Sequence, residues 1–366
     1  MQTALSARDY LPYPRRFGRM AAGLAIRTRD SDVNNRDKLK ARLRGPLCQR
    51  LGIELPVFQA GMGFVARAPL AAAVSAAGGL GVIGAGSTSS GADLRDDIRA
   101  VRAITDRPFG VDILFATLAA SGGQAVQYTD AVQEMIAAVL EEKVPVLISG
   151  LGSPGAVINE AHERGIFVMS VVGAVRHAKR AVADGVDAVI ATGSDGGGHV
   201  GQIGTAALIP AVRDAVDVPL LAGGGLADGR GLVAAMALGA EGVWMGTRFI
   251  ATAEATAHDN YKHSIVETDS AGTVVTRAHS GKPCRLIRND FTDYWAARED
   301  EIQPFPLQVM QVGNPASALG RHQGDVANGV LPAGQSAGLI ESVKSAEEVV
   351  NDIIDEAGAV LARMGL

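Results

Sequence analysis

From Leu55 onward, short apolar runs alternate with turns and with Ala-rich stretches of helical period. Eight runs stand out, at residues 57–60, 81–84, 109–114, 144–149, 166–172, 188–192, 219–223 and 242–247. They are continuous and rich in aliphatic side chains, the pattern of strands buried on both faces of a parallel sheet. Helical periodicity fills residues 69–77, 94–104, 128–142, 154–164, 174–184 and 229–238 between them. Gly78, Gly165, Gly185 and Gly239 follow four of these stretches, where a left-handed C-terminal cap is needed. Repeated βα units predict an α/β fold, a (β/α)8 TIM barrel, with a doubly wound sheet as the alternative of the same periodicity.

The flanks read differently. Residues 1–45 are polar or proline-broken and form an N-terminal extension that wraps the body, contacts a second subunit or stays disordered. Residues 46–250 make the barrel. Residues 251–330, with charged, aromatic and proline residues, form a smaller insertion after strand 8 that caps one barrel mouth. Residues 331–366 end in an amphipathic helix from Ser345 to about Met364, with Val349, Ile353, Ile354, Ala357, Val360 and Leu361 on the face that packs back on the barrel.

Composition narrows the ligand. A net charge of −5 offers no basic excess to displace counterions, so nucleic acid and anionic membranes are not expected partners. No apolar run approaches the ~18 residues of a membrane span. Cys48 and Cys284 lie far apart with no Cys/His cluster, which argues against a disulfide framework or a metal site and suits a cytoplasmic protein. A small molecule is the expected ligand.

In a barrel of this kind the chemistry gathers at the C-terminal strand ends. Residues 193–202 place His199, a group that titrates near neutral pH, in a loop almost free of side chains. Gly223, Gly224 and Gly225 after the seventh strand and Gly246 and Thr247 after the eighth cluster backbone donors where barrels commonly hold a phosphate, although tight turns need the same residues. Neither a metal cluster nor a GxxxxGK[ST] loop is present, which leaves a phosphate-tailed ring such as FMN or pyridoxal phosphate. The latter needs a lysine on a strand. Lys143, Lys179 and Lys262 fall on helices, helix ends or the insertion, so FMN is favoured. Ala60, Gly61 and Met62 would suit close approach to its isoalloxazine, and core filling is the other reading of Met62.

The runs around residues 55–62, 77–83, 193–201, 222–229, 237–249 and 333–335 resemble the nitronate monooxygenase family, which includes FMN-dependent enoyl-ACP reductases and NADH:quinone reductases. The resemblance covers about residues 47–343. It implies that His199 lies over the flavin as base or orienting group, that Gly223, Gly224, Gly225, Gly246 and Thr247 hold the phosphate, and that Gln335 closes on the flavin. Asp112, Ser170 and Gly198 complete the cofactor-side set of strand ends. The implied activity is FMN-dependent oxidation of a nitronate or nitroalkane with O2. The alternatives are NAD(P)H-dependent reduction of a quinone or enoyl thioester, and a non-catalytic barrel that binds a phosphate ligand. A homodimer is allowed. Two positions depart from the family. Asp112 stands where many members carry Asn and would repel an anionic reduced flavin unless kept neutral. Asp195, where many have Glu-Ala, orients the His or caps the turn. Lys282 and Arg285 are candidates for an anionic substrate tail, with a solvated charged face as the alternative.

Overall fold

Every second residue of the apolar runs faces the inside of a ring, and that parity organises the molecule. The structure, a computed structural model, describes residues 29–86, 90–115, 117–118 and 127–366. Eight parallel strands, Val57–Gln59, Gly81–Ala85, Phe109–Leu114, Val146–Leu151, Phe167–Val172, Ala188–Thr192, Leu220–Gly223 and Gly242–Met245, pair in sequence order, and the first also pairs with the eighth. A bridge from Phe58 to Leu80 joins the first strand to the second and closes the barrel. At that seam the buried Gln59 side chain takes over part of the ladder. Its Nε2 donates to the Val82 carbonyl at 3.0 Å and its Oε1 accepts from the Val82 N–H at 3.0 Å.

Inside the ring Phe58, Val82, Val146, Ile148, Met169, Ala188, Ile190, Leu221 and Trp244 form one cluster. The intervening residues, among them Val57, Ile83, Val111, Leu147, Val168, Val189, Leu220 and Val243, belong to a second cluster shared with the helices. A short helix, Pro46–Leu51, plugs the N-terminal end of the barrel with Leu47, Cys48 and Leu51. Its start is tied down by the Leu47 N–H, which donates to Glu241 Oε2 at 2.9 Å.

The expected helices are present, with ends shifted by a few residues: Ala68–Ala76, Gly91–Ile104, Asp130–Glu141, Ile158–Glu163, Val175–Asp184 and Gly229–Ala237. Gly78, Gly165, Gly185 and Gly239 all have positive φ, as their capping role requires. One further helix, Thr205–Arg213, follows the His loop; Pro210 inside it disguises its helical pattern. The C-terminal helix Ala346–Arg363 packs between the Ala68–Ala76 and Gly229–Ala237 helices, so it is the barrel's own eighth helix. The segment between strand eight and this helix carries a two-stranded hairpin, Thr273–Thr276 with Cys284–Ile287, and the helices Asp259–Glu267, Asp290–Ala296 and Asn314–Arg321.

The chain divides after Lys38, and the barrel and its insertion lie in the second unit. Within the expected extension, Arg29–Leu43 is helical, while residues 1–28 lie outside the described residues. Among the described residues no helix is long and apolar enough to cross a membrane, and no His/Cys/Asp/Glu group could hold a metal ion.

Phe58 is fully buried in the barrel interior. Phe58→Ala would leave a cavity that a closed ring cannot collapse around, and is expected to cost about 3–5 kcal/mol of unfolding free energy, read as a lowered urea midpoint at unchanged slope.

Candidate active site

One layer above the apolar filling, the inward positions lose their side chains. Continuing the parity of each strand gives Ala60, Gly84, Asp112, Gly150, Val171, Thr192, Gly223 and Gly246. Four of these are glycine, so the barrel ends in a shallow floor over Ile148, Met169, Ile190 and Trp244. The loop after the first strand leans over one side of it, with Met62 Sδ 3.4 Å from where a Gly246 Cβ would sit. Asp112 fills the space next to Gly61 and Gly150; a Cβ on Gly61 would lie 2.3 Å from the Asp112 Cβ. The two polar side chains of this layer share a further property. Among the described residues, Asp112 Oδ1 and Thr192 Oγ1 are both enclosed and have no hydrogen-bond partner.

His199 reaches the same mouth from the loop after the sixth strand. Gly198 and His199 form a two-residue strand antiparallel to Cys284–Ile287, with Cys284 opposite His199 and Arg285 opposite Gly198. The insertion therefore holds the loop as a third strand of its own sheet. Gly198 has φ +77° and open space on its Cβ side, so glycine permits the turn that presents the imidazole. Arg285 donates from Nε to the Ser194 carbonyl at 3.0 Å and from Nη1 to Thr273 Oγ1 at 3.1 Å. Its guanidinium braces the loop rather than reaching for a substrate tail. Lys282 lies with its ammonium 4.1 Å from the Phe305 ring centroid.

Burial, with Lys282 and Arg321 nearby, lowers the His199 pKa to about 4. His279, whose ring centroid is 5.7 Å from that of His199, is lowered to about 3 by burial, Arg321 and His199. Both imidazoles are neutral at pH 7. Burial pushes the Asp112 carboxyl well above the usual carboxylate range, opposed by a hydrogen bond from the Gly150 backbone, and so favours its neutral form. Burial thus disfavours charge on the acid that departs from the family pattern, which weakens the expected repulsion.

Other candidates fall elsewhere. Ser170 pairs with Ser149 on the face opposite Met169, with Val168 and Val172, so parity directs it to the helix layer; Val171 occupies the inward position instead. Asp195 does not orient His199. Its Oδ2 accepts the Thr205 N–H at 2.7 Å and caps the Thr205–Arg213 helix. Gly224 and Gly225 have φ +95° and +69°, and their Cβ positions would collide with Gly193, Thr205 and Asp195, so the turn itself requires them. Gly334 N–H donates to Thr247 Oγ1 at 2.9 Å and Gln335 N–H to the Asp195 carbonyl at 2.9 Å, which draws the 333–335 segment over the loops after strands six and eight. A cavity of about 360 Å³ lies behind this junction, between Ile209, Leu226, Leu238 and Leu339, with Asp195, Gly224, Gly225 and Gln335 at its edge. A larger one, about 540 Å³ and lined by Arg50, His162 and Asp187, opens at the plugged end of the barrel, remote from His199.

Arg321 and His322 were not among the expected site residues. Arg321 Nη1 donates to the Gly63 carbonyl at 3.1 Å and His322 Nε2 to the Phe64 carbonyl at 2.9 Å. Together they pin the loop beside Met62, at a point where Phe64 takes the left-handed φ of 70°.

Asp112→Asn isolates the cost of the buried acid. A carboxyl whose folded pKa is raised binds its proton more tightly folded than unfolded. Its contribution is therefore complete below the unfolded value of about 3.9 and is lost as pH rises toward the folded pKa. Urea midpoints from pH 4 to 8 are expected to fall for the parent chain relative to Asp112→Asn, and parallel curves would contradict the neutral-acid assignment.

Comparison with known proteins agrees with this architecture. The nitronate monooxygenase family profile matches residues 44–356. A (3aS,4S,5R,7aS)-5-hydroxy-7a-methyl-1-oxo-octahydro-1H-indene-4-carboxyl-CoA dehydrogenase of Mycobacterium tuberculosis is 35% identical over 355 residues, spanning 86% of this chain and 96% of its own. A probable nitronate monooxygenase of Staphylococcus saprophyticus is 33% identical over 361 residues, covering 89% and 100%. Among solved structures, FabK from Thermotoga maritima superimposes with a TM-score of 0.79 at 38% identity, covering 87% of this chain and 97% of that one. The closed barrel, the His loop stitched to an insertion after strand eight and the match across residues 44–356 identify the chain as an oxidoreductase of the nitronate monooxygenase family.

Proposed function

We propose that the chain is an FMN-dependent oxidoreductase acting on a thioester substrate at the barrel mouth below His199. The observation that carries this reading is the emptied inward layer. Glycines clear a floor, and among the described residues Asp112 Oδ1 and Thr192 Oγ1 on it are enclosed without a partner. Buried polar atoms without partners are uncommon in native proteins, and a bound ring with its own donors and acceptors would satisfy them. The residues therefore fit a flavin. Ala60, Gly61, Met62, Asp112 and Thr192 would hold its ring system, and backbone groups near Gly224, Gly225, Gly246 and Thr247 its phosphate. When bound, FMN supplies hydride or electron transfer to and from carbon.

The chain's own residues do the rest. Met62 and the pinned loop 60–65 cover one side of the floor and exclude water. His199, neutral and held by the insertion's sheet, is available to an oxygen of the substrate. Lys282 and Arg321 favour the negative charge that a thioester carbonyl oxygen carries while its α-carbon is deprotonated. The thioester is supported by the 35%-identical relative, whose substrate is a carboxyl-CoA. The nitronate reading is favoured by the family profile and by the 33%-identical relative, and a nitronate oxygen would meet the same groups.

Purified protein is expected to be yellow and to release FMN on heat denaturation; a colourless preparation without flavin overturns the cofactor. Under anaerobic conditions NADH should bleach the flavin and a panel of linear and alicyclic enoyl-CoA thioesters should restore its colour. Spectral change with propyl-1-nitronate and none with any thioester would move the assignment to nitronate oxidation. His199→Ala is expected to retain flavin and lose turnover by about 10²-fold.

A further inference from the structure

A catalytic imidazole can offer a lone pair or an N–H, and the group bonded to its other nitrogen decides which. In this chain that group is Ser280. His199 Nε2 lies 2.7 Å from Ser280 Oγ, and Ser280 is fully buried. The same Oγ accepts the Lys282 backbone N–H at 3.4 Å. A serine hydroxyl has one hydrogen to donate, and among the described residues no other acceptor lies within reach of it. If Nε2 carried the ring proton, the buried hydroxyl hydrogen would have no acceptor. If Nε2 accepts, both the hydroxyl hydrogen and Nε2 are satisfied and the ring proton sits on Nδ1. Nδ1 itself has no hydrogen-bond partner among the described residues.

The electrostatic surroundings point the same way. Lys282, Arg321 and His279 face the ring, and among the described residues no carboxylate stabilises its protonated form. A general base needs its conjugate acid to be tolerable, and cations on these sides oppose that. A neutral donor needs only a fixed tautomer.

We infer that His199 presents Nδ1–H as a hydrogen-bond donor to an oxygen of the substrate, the thioester carbonyl or a nitro oxygen, and that Ser280 is the positioning residue that fixes this tautomer by donating to Nε2. The substrate half of this inference rests on the reading of the mouth given under Proposed function; the tautomer half does not. His279, beside His199 and within 3.5 Å of Ser317 Oγ through its own Nε2, contributes bulk and a second neutral ring to the same pocket.

The test is long-range proton–nitrogen correlation NMR on the flavin-loaded full-length protein labelled with 15N-histidine, with the His199 signals identified by their loss in His199→Gln. The expected pattern is protonated Nδ1 and unprotonated Nε2, unchanged between pH 6 and 8. In Ser280→Ala the His199 signals should move to a mixture of tautomers or to Nε2–H while those of the other histidines stay in place. Protonated Nε2 in the parent chain, or an unaltered His199 tautomer in Ser280→Ala, would overturn the inference. Turnover of the enoyl-CoA panel or of propyl-1-nitronate then separates donor from base. A glutamine can donate but cannot take the proton, so His199→Gln should keep at least tenfold more activity than His199→Ala, and equal loss in both would overturn the donor role. If neither probe is turned over while the Nδ1–H tautomer is present, the thioester and nitronate readings fall and the positioning of the ring by Ser280 stands.

Discussion

Closing eight parallel strands into a ring leaves an internal volume that only every second residue can fill, and most of this molecule follows from how that volume is spent. The lower layers take large side chains, Phe58, Met169 and Trp244 among them, and a separate helix seals the bottom. At the top the same inward positions become Gly84, Gly150, Gly223 and Gly246. Dense packing below and glycine at half of the inward positions above give a rigid floor and an open space over it. A site formed this way needs no excavation by loops. The loops after the first and sixth strands instead fold inward to wall it, and contacts from the insertion anchor both.

The polar groups at the mouth share one electrostatic habit. Asp112 is pushed toward its protonated form, His199 and His279 toward their neutral forms, and Arg321 spends its guanidinium on backbone carbonyls. The mouth therefore carries hydrogen-bonding capacity with little free charge. In a dry, low-dielectric setting such groups interact with a developing partial charge more strongly than they would in water, and they do so without a reorganisation cost. Charge that is present, on Lys282 and Arg321, is positive, which suits a substrate atom that becomes negative.

Much of the architecture was legible in the chain because parallel strands are apolar on both faces and glycine marks the helix ends. The eight runs, four capping glycines and the C-terminal helix all stand where the pattern put them, within a few residues. Ser170 shows the limit of reading strand ends as a set. Being near the C-terminal end is not enough, since parity sends Ser170 outward and Val171 inward. The register that carries inward parity from Trp244 through Gly223 to Thr192 comes only from the strand pairing. Asp195 lost its ambiguity only when the helix after it was seen, and Pro210 hid that helix. The run 280–289 resembles the family, but nothing local pairs Ser280 with His199 or Arg321 with Gly63. Their partners lie 81 and 258 residues away, and such contacts are products of the fold rather than of any motif.

The C-terminal helix docks against the Ala68–Ala76 helix at one side and the Gly229–Ala237 helix at the other, and the Gly229 N–H donates to Glu356 Oε2 at 3.0 Å. The outer shell of the barrel is therefore incomplete until residues near the end of the chain are in place, although all eight strands precede residue 246. During synthesis the strands and the whole insertion emerge before the segment that seals the seam between the first and seventh helices. The barrel stays unfinished, with apolar helix faces uncovered, until the helix Ala346–Arg363 docks. Contacts of such long sequence separation form slowly, and closure of the shell waits on the helix Ala346–Arg363.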